Sequence, residues 1–147
     1  LCRSDIAELW ALRDERYALM CVQHQHVPDQ EVKFLGETQS RYEKKNWSSL
    51  MLFNGSRCAA LTPEYVNSAS GLELHRFHWL GDDSLIGALP MERWNHLVDV
   101  QERPLAEPSA LLHWTLGGPW FREQRTMGGP LAAEWFSARD DAMRLWD

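Results

Sequence analysis

The apolar residues of this chain fall in short continuous runs and not in long periodic stretches: Tyr17-Ala18-Leu19-Met20-Cys21-Val22, Ser48-Ser49-Leu50-Met51-Leu52-Phe53 and Ala110-Leu111-Leu112-His113-Trp114. A run of this length bounded by polar or turn residues reads as a strand buried on both faces, the pattern of a parallel sheet. The first run ends against Gln23-His24-Gln25-His26-Val27-Pro28, the second against the turn signal Asn54-Gly55, and the third passes directly into Thr115-Leu116-Gly117-Gly118-Pro119.

Helix signals separate these runs. Asp5-Ile6-Ala7-Glu8 has the form of a capping box and predicts a helix to about Leu12. Thr62-Pro63-Glu64 supplies a cap, a proline at the first helical position and an acid in the first turn. Asp82 and Asp83 open a predicted short helix through Leu89, stopped by Pro90, with both acids complementing its dipole. Leu131, Trp135, Ala138, Ala142 and Leu145 lie at helical spacing behind Gly128-Gly129-Pro130 and predict a closing amphipathic helix over residues 131–147. Leu72 to Leu80 is mixed, Trp94 to Val98 is an extended piece, Pro104 and Pro108 bracket a loop, and Gln23 to Asn46 reads as a long functional loop. The alternation of helices and buried strands is that of an α/β chain, and 147 residues with 44% hydrophobic content make one domain. The opening at Leu1, running almost at once into a helix, leads us to expect part of a larger domain.

Composition excludes several functions. A net charge of -6, from 21 acidic and 15 basic residues with no basic stripe, argues against a nucleic-acid surface. No apolar run approaches the roughly 20 residues that span a bilayer, so no membrane span is expected. Cys2, Cys21 and Cys58 form neither a zinc pair nor a secreted disulfide pattern, which points to a reducing, cytoplasmic setting.

His113 is the residue best placed for chemistry. Ligands of open α/β sheets bind beyond the carboxyl ends of strands, and glycine amides there can approach phosphate oxygens while an imidazole holds a divalent cation. The same residue, flanked by leucines and Trp114, also reads as a core histidine, and both readings stay open on the residues alone. His24 with His26, and His75 with His78, lack the further ligands of a closed zinc site.

The run His113-Trp114-Thr115-Leu116-Gly117-Gly118-Pro119-Trp120 resembles the His-aromatic-x-Gly…Pro-Trp segment that ends the catalytic core of family 8 glycosyltransferases, the galactosyltransferase and glycogenin group. That resemblance implies the C-terminal part of a GT-A α/β/α sandwich with a mainly parallel sheet, and retention of anomeric configuration. It implies a nucleotide-diphosphate sugar as donor, a sugar, lipid-linked glycan or protein as acceptor, and Mn²⁺ or Mg²⁺ with His113 as a metal ligand. Gly117, Gly118 and Trp120 would then contact the donor diphosphate. Gly118 stands where the family carries a leaving-group lysine, so Arg122 or Arg125 would have to replace it. Leu1 to Trp10 is similar to the stretch after the family's Asp-x-Asp motif, which implies that two carboxylate ligands lie in a missing N-terminal half and that this chain alone is inactive.

Asn46-Trp47-Ser48 and the following apolar run resemble the family's Phe-Asn-Ala-Gly segment, which implies a role in sugar or acceptor binding. Trp79 to Gly87 is similar to its acidic run, which makes Asp82 and Asp83 candidate catalytic groups near the anomeric carbon. Trp47, Trp79 and Trp114 are candidates for stacking on sugar. Eight tryptophans in an acidic chain also suit a non-catalytic carbohydrate-binding module, which predicts coplanar rings on an open face. A histidine-based metallohydrolase is a third reading and requires the histidines to converge.

Overall fold

The structure is a computed structural model that describes residues 1–25, 42–100 and 109–145. Its centre is strand β1 (Leu19–Cys21), which pairs antiparallel with β2 (Met51–Phe53) and parallel with β3 (Ile86–Ala88). The run from Ala18 to Val22 is at most 8% exposed at every residue, as a strand in the middle of a sheet requires. Its side chains alternate between two apolar clusters. Met20 and Val22 pack with Leu9, Leu89, Trp94 and Ala110 on one face, while Leu19 and Cys21 pack with Phe77 and Ile86 on the other. Gly87 sits opposite Met20 in the register, and a Cβ there would stand 2.5 Å from the Tyr17 ring, so the close packing of β3 on β1 requires glycine.

The fold is therefore mixed α/β with small, partly parallel sheets. The three-stranded sheet contains one antiparallel and one parallel pairing, and the second, two-stranded sheet is parallel. One expectation from the sequence needs correcting. The segment from Asp82 to Leu89 is not a helix: a single 3-10 turn at Asp83–Leu85 leads into β3. Strand β1 needs a partner on its second edge, and Ile86 and Gly87, both buried, supply it. Tertiary pairing overrides a weak local helix signal.

A second pair of parallel strands, β4 (His96–Leu97) and β5 (Leu112–His113), is extended by the start of the chain. The amide of Leu112 donates to the carbonyl of Leu1 and that of Arg3 to Ala110, each at 2.8 Å, so Leu1 to Arg3 cover the far edge of β5. Helix α1 (Ile6–Ala11) is too short to stand alone. It is held by Leu9 in the core, by Asp5 accepting from the amide of Ala7, and by Glu8. Glu8 does not return to the cap as a capping box would: its carboxylate pairs with Arg93 at 2.6 Å.

Helix α2 (Pro63–Ser68) begins as expected at the Thr62 cap. The mixed segment after it contains α3 (Gly71–His75), opened by a complete capping box between Ser70 and Glu73. Helix α4 (Pro130–Arg144) closes the described chain, with Ala132 as its buried residue and Glu134 paired to Arg3 at 2.7 Å. Leu145, expected on its buried face, is 86% exposed. Among the described residues no helix is long and apolar enough to cross a membrane.

Candidate functional site

Strand β5 ends at His113, and its parallel pairing with β4 brings that histidine beside the residue preceding β4, Asn95. Asn95 is fully buried and adopts φ 55°, a left-handed conformation that asparagine tolerates better than most residues. Its carboxamide joins three distant parts of the chain. Oδ1 lies 3.2 Å from His113 Nδ1, while Nδ2 donates to Ser49 Oγ at 2.8 Å and lies 3.2 Å from His24 Nε2. Burial lowers the pKa of His113, against an opposing pull from the Asp99 carboxylate. The ring is thus favoured in its neutral form. Its Nε2 has no hydrogen-bond partner among the described residues.

The segment from Lys44 to Ser49 is the hub around this network. A 3-10 turn at Trp47–Ser49 aims successive side chains in different directions. The Ser49 hydroxyl donates to the Asn46 carbonyl at 2.6 Å, the Trp47 indole donates to the His24 carbonyl at 2.9 Å, and Ser48 Oγ lies 2.7 Å from His75 Nδ1. Asn46, at φ 66°, keeps its side-chain Nδ2 buried without a hydrogen-bond partner. Lys44 pairs with Asp83 at 2.6 Å and donates to the carbonyl of Arg76 at 3.0 Å. Thus Asn46, Trp47 and Ser48 lie on the segment that meets the His113 network through Ser49. Asp83 reaches the same segment only through Lys44, and Asp82 is an exposed cap that accepts from the amide of Ser84 at 2.8 Å. Neither aspartate is hydrogen-bonded to His113.

The turn after β5 is organised by Asp99. Its carboxylate accepts from the amides of Thr115 and Leu116 at 2.7 and 2.5 Å and from the Thr115 hydroxyl at 3.0 Å. The two amides that precede the expected phosphate contacts at Gly117 and Gly118 are therefore occupied by the protein's own anion. The glycines that follow have packing neighbours. A Cβ on Gly118 would collide with the Trp120 ring, and one on Gly117, at φ 126°, with the side chain of Gln124. Trp120 is 47% exposed and packs against Trp114, Phe121 and Trp135. Gln124 Oε1, beside Gly117, is buried without a partner.

The other candidates are distributed as follows. Trp114 is 6% exposed, with its indole donating to the carbonyl of Met127 at 3.1 Å, and Trp79 stacks on Phe53. The rings around Trp120 meet at 47° to 74°, so they do not form a coplanar platform. Arg125 lies over the Phe136 ring at 5.0 Å, and Arg122 opens an exposed turn. His24 and His113 approach each other through the Asn95 amide. His26, with most of the Gln23 to Asn46 loop, lies outside the described residues, as do Pro104 and Pro108. Among the described residues no three His, Cys, Asp or Glu side chains are grouped to hold a metal ion. His113 can therefore offer one imidazole nitrogen to a cation and no more than that from within this set.

Sequence reasoning missed Asn95 and Asp99. Asn95 stands in a piece read only as extended, and Asp99 two residues beyond β4 carries no local signature; each acts across 16 or more positions of the chain.

No protein-family profile matches the chain, and no solved structure matches it. The chain is similar to Protein CDI of Arabidopsis thaliana, with 44% identity over 124 residues covering 80% of this chain and 47% of that protein. It thus spans about half the length of the curated relative it matches.

Proposed function

We propose that this chain forms part of a GT-A-type glycosyltransferase that moves a sugar from a nucleotide-diphosphate donor to a sugar, lipid-linked glycan or protein acceptor. The observation that carries this reading is the meeting of Ser49 and His113 on one Asn95 carboxamide. Two segments that resemble the sugar-binding and metal-binding motifs of one family, far apart in sequence, converge on a single buried side chain.

His113 would hold Mn²⁺ or Mg²⁺ through Nε2, together with carboxylates that the described residues do not group with it. A bound divalent cation would neutralise the diphosphate as it leaves. With the Thr115 and Leu116 amides engaged by Asp99, the amides of Gly117 and Gly118 would be left for the donor's phosphates. Asn46, with its unpartnered Nδ2, Trp47 and Ser48 would line the sugar side, and Trp120 would close the diphosphate side. Asp83, held by Lys44, and Asp82 would reach donor hydroxyls. Three cysteines without a disulfide fit a reducing, cytoplasmic setting.

Calorimetry of the full-length protein with a panel of nucleotide-diphosphate sugars, with and without Mn²⁺, tests the reading. It requires binding that Mn²⁺ strengthens and that His113→Ala weakens. Absence of binding to every donor, or binding indifferent to both, would overturn it. The tilted packing around Trp120 gives no support to the carbohydrate-binding alternative.

A further inference from the structure

We infer that Asn95 is a positioning residue that sets the ring tautomers of His24 and His113 from one buried amide, so that His113 keeps its lone pair on Nε2. The direction of each hydrogen bond follows from counting donors. A serine hydroxyl has one proton, and Ser49 gives it to the Asn46 carbonyl at 2.6 Å. Ser49 Oγ can therefore only accept from Asn95, which fixes Nδ2 on the Ser49 side and Oδ1 on the His113 side. The opposite amide orientation would set two acceptors against each other at 2.8 Å.

The imidazoles then have no choice. Nδ2 is a donor, so His24 Nε2 facing it at 3.2 Å carries a lone pair and the His24 proton sits on Nδ1. Oδ1 is an acceptor, so His113 Nδ1 carries the proton and Nε2 the lone pair. Full burial and the left-handed backbone of Asn95 hold the amide that imposes this pattern. Metal-binding histidines are oriented in the same way, through the nitrogen that does not bind the ion. A divalent cation taking that lone pair rests on the transferase reading. The tautomers themselves do not depend on it.

Two-bond ¹⁵N–¹H spectra of the histidine rings in the folded protein at pH 8, assigned with His24→Gln and His113→Gln, read the tautomers directly. Both rings should be protonated on Nδ1, and an Nε2-protonated ring at either position would overturn the inference. Asn95→Asp gives a second reading. A carboxylate still accepts from His113, which stays protonated on Nδ1, but it faces His24 with an acceptor, so that His24 Nε2 gains a proton. Equal responses in both rings, or none in His24, would count against Asn95 as the cause. If Asn95→Asp does not fold, the parent spectra decide alone. Adding Mn²⁺ separates the two claims: Nδ1-protonated rings with no paramagnetic broadening at His113 would sink the metal role and leave the positioning role standing.

Discussion

Asp99 grips Thr115 twice, accepting from its amide at 2.7 Å and from its hydroxyl at 3.0 Å, and so fixes the chain two residues beyond His113. The adjacent amide of Leu116 is held by the same carboxylate at 2.5 Å. Hydrogen bonds to a charged acceptor are worth more than neutral ones, and a half-buried donor left without its partner adds a desolvation cost. We expect Asp99→Ala to destabilise the protein by about 2 to 3 kcal/mol. Asp99→Asn, which keeps one acceptor oxygen, should cost less. Urea unfolding measures both, and an Asp99→Ala midpoint equal to the parent's would show that the turn does not depend on this carboxylate.

Gly118 is needed because the Trp120 ring lies where a Cβ would be. Gly118→Ala should displace that ring from Trp114 and Trp135, at a cost of about 1 to 3 kcal/mol, as overpacking usually does. Tryptophan fluorescence should shift to the red as Trp120 gains exposure. Parent-like stability and emission would place the ring elsewhere.

The three thiols should differ sharply in reactivity. Burial pushes the Cys21 thiol up to about 12 and leaves it no exposed surface, while Cys2 is exposed. Cys58 lies between them, its pKa also raised by burial. In native protein at pH 8, iodoacetamide should label Cys2 first and Cys21 only after unfolding, as read by peptide mass spectrometry. Early labelling of Cys21 would contradict its place in the centre of the sheet.

The signals that were legible in the sequence are those that act locally. Asp5, Thr62 and Gly129-Pro130 mark helix starts because a cap needs only the next few residues, and the runs at Tyr17 to Val22 and Ala110 to Trp114 mark buried strands by composition alone. The Ser70 to Glu73 capping box was equally local and went unread. What a sequence of this kind conceals is set by distant partners. Ile86-Gly87-Ala88 becomes a strand because β1 has a free edge, and Glu8 abandons its own cap for Arg93, 85 positions away. Asn95 has no neighbour in sequence to reveal it, since its partners stand 18, 46 and 71 positions away.

His113 should make stability depend on pH in a defined direction. Burial lowers its pKa below the ordinary imidazole value of about 6.5, so the unfolded chain binds a proton more readily than the folded one. The contribution is fully present above that ordinary value and is lost as pH falls toward the folded pKa. Between pH 7.5 and pH 5.5 the urea midpoint of the parent should fall further than that of His113→Gln. Parallel losses in the two proteins would assign the pH dependence to other groups.

Release of nucleoside diphosphate from a nucleotide-sugar donor, followed in the full-length protein with Mn²⁺ and a mixture of candidate acceptors, bears most directly on glycosyl transfer. We expect turnover of at least one donor, lost on chelation and reduced at least about 100-fold in a folded His113→Ala protein, since that change removes the ring that would hold the ion. Turnover that His113→Ala leaves unchanged, or no turnover of any donor, would contradict a glycosyltransferase built around His113 and Asn95.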